Sequence, residues 1–410
     1  MTRLILGFLL AAIIAISATP AANAETSWER IDVPGHFFDN NGVERFPSCS
    51  GGPEPTGTPL PAQADRNYAF FVRPGNPSKL AIFFDGGGAC WDANTCVGTA
   101  LAGQPIYSQT VDETVEGLNA SEGLGDFENP ENPIADYTQV FIPYCTGDLH
   151  TGASDYDYTL QTEFGPLSWS IYHRGADNVA AVLDWLTDYY TNDVGRAPAK
   201  VFLSGASAGG YGVLYHYPAI AALLPWYTTT RVLVDAANGV INQDFYDRAL
   251  TPGGVWGVWE NLDSELANAF SSGPDELVIE IFKSLGAYHP RTRFGQYTTA
   301  YDATQIGFFN IARNLGRPDL WLDPAELAAA AFEWTLRART YMILTAFQTW
   351  NYRFYLAAGT DHTIVASDKY YLEDSAQGVA LVDWLDDMVN RRWLWRSNWR
   401  NVRCTPNCLP

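Results

Sequence analysis

The stretch VFLSGASAGGYGV, Val201 to Val213, runs from a short apolar segment into a cluster of small residues with one serine, Ser207, at its centre. Gly205-Ala206-Ser207-Ala208-Gly209 is a G-x-S-x-G sequence. The apolar run before it reads as a buried strand, and YGVLYHYPAIAALL after it as a helix. In a strand–turn–helix elbow the serine sits in strained backbone, and its neighbours must be small because strand and helix come close together. The helix start adds free N–H groups and the positive end of a dipole, which suit a carbonyl oxygen gaining negative charge. A plain strand–helix crossing with an inert serine would need the same small residues, so the partners of Ser207 decide between the two.

A serine hydroxyl is a weak nucleophile and needs a histidine base, itself oriented by a carboxylate. In the α/β-hydrolase arrangement the chain order is serine, acid, histidine. Three histidines follow Ser207: His216, His289 and His362. His216 is on the helix leaving the elbow and faces away from the turn, and His289 precedes Pro290. His362, in AAGTDHTIV after the last core strand, stands where a base reaches the serine. For the acid, Asp302 in QYTTAYDATQIGFF has the better chain position. Asp235, after the strand beside the nucleophile strand, is the alternative, and Asp361 is too close in sequence to His362 to offer the right geometry. An oxyanion hole needs two backbone donors. Ala208 supplies one, and the loop FFDGGGACW supplies the other, because Gly86, Gly87 and Gly88, lacking side chains, free the backbone to turn inward. The glycine loop lacks the spacing of a phosphate-binding motif.

The segments NYAFFVRPG, KLAIFFDGGG, TQVFIPYC, KVFLSGAS and RVLVDAANG are short apolar runs ending in turn residues, as buried strands of a mainly parallel sheet read. GADNVAAVLDWLTDYY carries Val179, Val182, Leu183 and Leu186 at helical spacing, and SAQGVALVDWLDDMVN reads as a late covering helix. Strands alternating with helices give an α/β fold, a central sheet flanked by helices. Residues 240–298 and 308–340 add aromatic-rich helical patterns, read either as a lid over a substrate pocket or as peripheral helices. With no repeat or long linker, residues 25–410 are expected to form one catalytic domain.

Residues 1–24 read as a signal peptide: Arg3 precedes an apolar run that closes on Ala22-Asn23-Ala24, so the expected product is secreted or periplasmic. Six cysteines suit an exported chain. Cys90 and Cys96, and Cys404 and Cys408, are close enough to close small loops, leaving Cys49 and Cys145, although the sequence leaves other connectivities open. No spacing suggests a metal site. Among 410 residues, 47% are hydrophobic and the formal charge is −21. That surface repels nucleic acid and anionic lipid, and no later segment is long and apolar enough for stable membrane insertion. The C-terminal RRWLWRSNWRNVRCTPNCLP departs from this charge: its arginines interleave with Trp393, Trp395 and Trp399. It is read as a tail stapled to the acidic body, with a gripping surface as the alternative. The sequence assigns no oligomeric state.

These residues resemble the pectinacetylesterase family, which spans plant pectin acetylesterases and Notum-type carboxylesterases. Cys49-Ser50-Gly51 is similar to an early cysteine loop of that family, DGGGAC to its GGGWC, IPYCTGDLHTG to its PYCSSD, and YHRGADNV to its FRGARI. SGASAGG is similar to its SGxSAGG, YDATQ to its FDEAQ, and DHTI to its final histidine. The resemblance implies an α/β-hydrolase fold with Ser207 as nucleophile, Asp302 as acid, His362 as base and Gly87, Gly88 and Ala208 as oxyanion hole. It also implies Cys49–Cys145 and Cys90–Cys96 bridges. Two departures stand out. Ala89 replaces the tryptophan after the glycines, with Trp91 beyond the cysteine, and Thr146-Gly147-Asp148 replaces the serine pair, with His150 in place of an aromatic.

The expected activity is that of a serine esterase needing no cofactor. Its substrate is an ester on a polysaccharide, a lipid or a polyester, and a polyanion such as pectin is disfavoured by the overall charge. Longer acyl groups, as for a lipase or polyester depolymerase, are the alternative. A reading of another class is an inactive relative that binds glycan or lipid.

Overall fold

The computed structural model describes residues 28–54, 61–112, 122–391, 397–405 and 407–409. The signal-peptide reading and Trp393 and Trp395 lie outside the described residues. Among the described residues nine strands form the central sheet: β1 (Glu29–Asp32), β2 (Ala69–Arg73), β3 (Asn76–Phe84), β4 (Tyr137–Ile142), β5 (Lys200–Ala206), β6 (Thr229–Asp235), β7 (Arg293–Thr299), β8 (Tyr352–Ala357) and β9 (Val402–Arg403). Their order across the sheet is β1-β2-β4-β3-β5-β6-β7-β8-β9. The β1/β2 and β2/β4 pairings are antiparallel and the rest parallel. This is the α/β-hydrolase fold.

The continuous apolar runs are explained by burial on both faces, as a helix-covered parallel sheet requires. Leu80, Ile82 and Phe84 of β3, Val201 and Leu203 of β5, and Val232 and Val234 of β6 point into one core. The residues between them, Ala81, Phe202 and Leu233, point into the other. Helix α1 (Gly175–Asp188) covers the first core with Val179, Val182 and Leu186. The late helix is shorter than the sequence suggests, Leu381–Val389. It covers the second core with Leu381, Trp384, Leu385 and Met388.

A hairpin of Ser154–Thr162 and Gly165–His173, paired antiparallel beside the main sheet, was not anticipated. Its turn residues Glu163 and Phe164 are not a usual hairpin signal, and Gly165 at φ 110° absorbs the reversal. All six cysteines are paired, Cys49–Cys145, Cys90–Cys96 and Cys404–Cys408. Among the described residues no helix is long and apolar enough to cross a membrane.

Parallel register brings the carboxyl ends of the middle strands to one edge: Phe84 pairs with Gly205, Ala206 with Asp235, Asp235 with Tyr297, and Thr299 with Ala357. The chain leaves β3 for β4 on one side and reaches β5 on the other. The ends of β3 and β5 therefore meet at the point where strand order reverses, where open α/β sheets bind ligands.

Candidate active site

Ser207 follows β5 with φ 54° and ψ −121°, a backbone conformation that costs energy for a residue with a side chain, and helix α2 (Ala208–Ala222) starts at the next residue. The small neighbours are required by contact. A Cβ on Gly205 would meet the Gly209 carbonyl oxygen at 2.1 Å, one on Gly209 the Phe84 oxygen at 2.0 Å, and one on Gly210 the Ala237 Cβ at 2.7 Å. The turn is held by the Ser207 N–H donating to the Asp235 carbonyl at 2.8 Å and the Gly210 N–H donating to the Ser207 carbonyl at 3.0 Å.

The glycine loop follows β3 and lies against this elbow. Gly88, at φ 76°, has no room for a Cβ, which would stand 1.9 Å from the Ile106 carbonyl oxygen. Gly88, Ser207, Ala208 and His362 line one cavity. Gly87 lines the adjoining open cleft with Gly88, Ser108 and Gln109. The Ser108 N–H donates to the Gly87 carbonyl at 2.8 Å, tying the glycine loop to the segment around Ser108.

Asp302 and His362 meet although 60 residues apart. The His362 Nδ1 lies 2.9 Å from Asp302 Oδ1 and 2.8 Å from Oδ2. The carboxylate is fully buried and caps helix α3 (Ala303–Arg313), accepting from the Gln305 N–H and from Gln305 Nε2, each at 2.9 Å. Gln305 is itself locked, its Oε1 accepting from the Asn238 N–H at 2.9 Å. Three contacts tie the histidine loop to the aspartate loop: Ala303 N–H to the Thr360 carbonyl, Tyr301 N–H to the Gly359 carbonyl, and Thr299 Oγ1 to the Asp361 carbonyl. His362 Nε2 is buried and has no hydrogen-bond partner, while its ring borders the cavity that Ser207 lines.

Asp235 takes another position. Its Oδ2 accepts from the backbone N–H of Ile364 at 2.7 Å and of Val365 at 2.9 Å, so it anchors the segment just after His362 and does not touch the ring. Burial pushes its carboxyl up to about 6, despite those two donors. Asp361 is exposed and pairs with Lys369 at 2.6 Å. His216 bonds the His150 carbonyl at 2.7 Å and burial lowers it to about 4, while His289 pairs with Glu265 at 2.8 Å. Sequence reasoning did not single out Gln305 or Asp235 as supports, because a side chain that bonds backbone far along the chain leaves no local pattern.

The cavity is apolar. Trp91, Leu149, Val240, Phe245, Leu277, Phe308, Phe309 and Trp334 wall it, enclosing about 790 Å³ including the open mouth. The aromatic-rich segments after residues 240 and 308 thus border the site. Trp91, the tryptophan displaced beyond the cysteine, is buried edge-to-face against Phe245. Asp148 of the altered segment is buried below, accepting from Thr146 Oγ1 at 2.6 Å, the His150 N–H at 3.0 Å and the Gly175 N–H at 2.8 Å. His150 donates to or accepts from nothing in the cavity, its Nε2 instead bonding the Asp85 carbonyl at 2.9 Å.

Residues 68–247 match the model of the family described as Pectinacetylesterase. The matched span holds the glycine loop and the elbow, and Asp302 and His362 lie beyond it. The chain is 26% identical over 180 residues to palmitoleoyl-protein carboxylesterase NOTUM of Schmidtea mediterranea, covering 43% of this chain and 31% of that one. It is 26% identical over 211 residues to palmitoleoyl-protein carboxylesterase notum1a of Danio rerio, covering 50% and 34%. These matches thus span about a third of the curated relatives' length. The Wnt deacylase Notum from Drosophila superposes with a TM-score of 0.56 and 18% identity, covering 89% of this chain and 97% of that one, a likeness of fold.

Proposed function

We propose that this chain, similar to the pectinacetylesterase family across its glycine loop and serine elbow, is a serine carboxylic-ester hydrolase. What carries the reading is one convergence: a strained serine, and a histidine with one ring nitrogen on a buried carboxylate and the other unpartnered, all at one apolar cavity. In this reading Ser207 Oγ attacks the ester carbonyl while His362 Nε2 takes its proton. Asp302 holds Nδ1–H and stabilises the imidazolium. The N–H groups of Gly88 and Ala208, with Gly87 beside them, receive the oxyanion. His362 then returns the proton to the leaving alcohol, and water repeats the sequence to free the acid.

The cavity favours an acyl group longer than acetyl, because Leu277, Phe309 and Trp334 offer apolar contact that a single methyl leaves unused. Each methylene buried there adds about 0.8 kcal/mol. This favours the lipase- or polyester-like alternative over a polysaccharide deacetylase. The disulfides support an exported enzyme, secreted or periplasmic. Turnover of p-nitrophenyl acetate and p-nitrophenyl octanoate by the wild type and Ser207→Ala tests the proposal. The octanoate is expected to have the higher kcat/KM, and the variant to lose on the order of 10⁴–10⁶-fold in kcat. Equal activity of the two proteins would remove Ser207 from the reaction. An inactive wild type would favour a binding protein.

A further inference from the structure

Helix α4 (Pro324–Gln348) has two apolar faces. On the inner one Ala330, Trp334, Ala338, Tyr341, Met342 and Thr345 are buried. That face packs on α3 and the Leu277–Tyr288 helix, and Trp334 reaches the cavity that Ser207 lines. On the opposite side Ala325, Ala329, Phe332, Leu336, Thr340, Ile343 and Phe347 are all exposed, and none is charged. At 3.6 residues per turn these seven fall within an arc of about 80°. Phe332 is 78% exposed, Leu336 61%, Ile343 46% and Phe347 88%. A surface helix ordinarily turns charges outward, so this face is an anomaly.

The charges beside the stripe are engaged elsewhere. Glu333 pairs with Arg337 at 3.2 Å and Arg313 at 3.7 Å, and the Arg339 guanidinium lies 5.5 Å from the Tyr301 ring centre. The stripe also reads the same in both directions. Phe332 and Phe347 are equidistant from the midpoint between Arg339 and Thr340, and so are Leu336 and Ile343. Ala329 mirrors Trp350, an exposed indole just past the helix. Two copies of a helix related by a twofold axis run antiparallel, so each residue meets the one at its mirror position. Phenylalanine then faces phenylalanine, leucine faces isoleucine, and alanine leaves room for tryptophan.

We propose that this chain forms a twofold-symmetric dimer through α4, the second copy packed antiparallel along the Phe332–Phe347 stripe. Mirror symmetry is what a second copy requires, whereas a partner of another sequence has no need of it. A lipid surface fits less well. Helices that lie on membranes carry lysine and arginine along a polar face, and a body of formal charge −21 repels anionic lipid. So narrow an arc is instead the seam of a helix pair. Phe332 and Phe347 alone leave roughly 300 Å² bare. With Leu336, Ile343 and the alanines, counted on both copies, the contact reaches about 1,000 Å², the lower bound of a specific interface. The second copy braces the cavity wall from outside, since the stripe lies opposite Trp334. Two acidic bodies repel one another, so association should tighten as salt screens them.

Sedimentation velocity of the full chain from about 1 to 100 μM, where an interface of this size associates, should show a monomer–dimer equilibrium that shifts toward dimer with added salt. Phe332→Glu with Phe347→Glu should weaken it about 100-fold or more. Phe164→Glu, at the exposed hairpin turn, should leave it intact. Melting curves of the variants separate lost association from lost folding. All six native cysteines are in disulfides, so an introduced thiol is the reactive one. A short bismaleimide should join two copies of Thr340→Cys, beside the axis. It should not join Phe332→Cys, whose two copies stand about 22 Å apart along the helices. The proposal is overturned if the wild type stays monomeric throughout, if the double glutamate variant sediments as the wild type does, or if Phe332→Cys is joined as readily as Thr340→Cys. It is also overturned if a monomeric wild type floats with phosphatidylcholine vesicles and the double variant does not, which would assign the stripe to lipid. Loss of the dimer on removing residues 1–24 would assign the contact to that segment and overturn it equally.

Discussion

Asp302 and Asp235 are both buried carboxylates beside the histidine loop, yet exchanging each for asparagine should have opposite consequences. Both oxygens of Asp302 already accept from donors: Oδ1 from the Gln305 N–H, Oδ2 from Gln305 Nε2, and both from His362 Nδ1. An asparagine amide must aim its NH₂ at one of these donors whichever way it is turned. Either Gln305 is displaced, leaving a buried donor unsatisfied at about 1–3 kcal/mol, or His362 adopts the tautomer with the proton on Nε2 and is no longer a base. The kcat of Asp302→Asn should fall on the order of 10⁴-fold, the loss that accompanies a wrong tautomer in Ser-His-Asp enzymes. In Asp235 only Oδ2 is engaged, by Ile364 and Val365, and Oδ1 has no partner. Asparagine keeps one oxygen for those N–H groups and puts its NH₂ where nothing opposes it, so activity should stay within about tenfold.

Stability should move the other way. Burial raises the Asp235 carboxyl from 3.8 to about 6. Between those values the folded protein holds the proton more tightly than the unfolded chain. Its contribution to stability is therefore complete below pH 4 and lost as pH rises through 6, by about 3 kcal/mol. Asparagine does not titrate, so the melting temperature of Asp235→Asn relative to wild type should climb from pH 4 to pH 6 and level off above. Steady-state kinetics on one p-nitrophenyl ester and melting curves across pH 4–7 read both quantities. The reasoning fails if Asp235→Asn is as inactive as Asp302→Asn, or if its melting temperature falls relative to wild type over that interval.

Gly88→Ala should reduce kcat by about 10²-fold or more, because its Cβ would meet the Ile106 carbonyl at 1.9 Å and turn the adjacent N–H out of the oxyanion position; pre-steady-state acylation measures it. Ala312→Phe places a ring in the apolar cavity that Ala312 lines and should depress kcat/KM on octanoate at least tenfold while largely sparing acetate. Replacing Cys49 and Cys145 together by alanine opens a 96-residue separation and should cost about 2–5 kcal/mol, read as a lower denaturant midpoint.

The elbow was legible because its constraint is local. Close approach of strand and helix admits only small residues, and these are consecutive in the chain. His362 was legible by elimination, since few histidines follow Ser207. The Ser154–His173 hairpin was not, because its turn lacks the residues that usually announce one and its alternation competes with surrounding loop signals. The C-terminal tail was expected to staple to the acidic body. Within the described residues it does attach by packing and an ion pair: Trp399 is buried against Arg293 and Arg353, Val402 pairs with Tyr355 of the sheet, and Arg391 pairs with Asp387 at 3.0 Å.

What the sequence by itself determined was the list of reactive groups and the sheet that carries them, since glycine turns and two-faced apolar strands act over a few residues. Which carboxylate meets His362 was decided only by tertiary structure. Asp235 ends β6 and Asp302 follows the adjacent β7, and the path of the histidine loop brings the His362 ring to Asp302 and the Ile364 and Val365 N–H groups to Asp235.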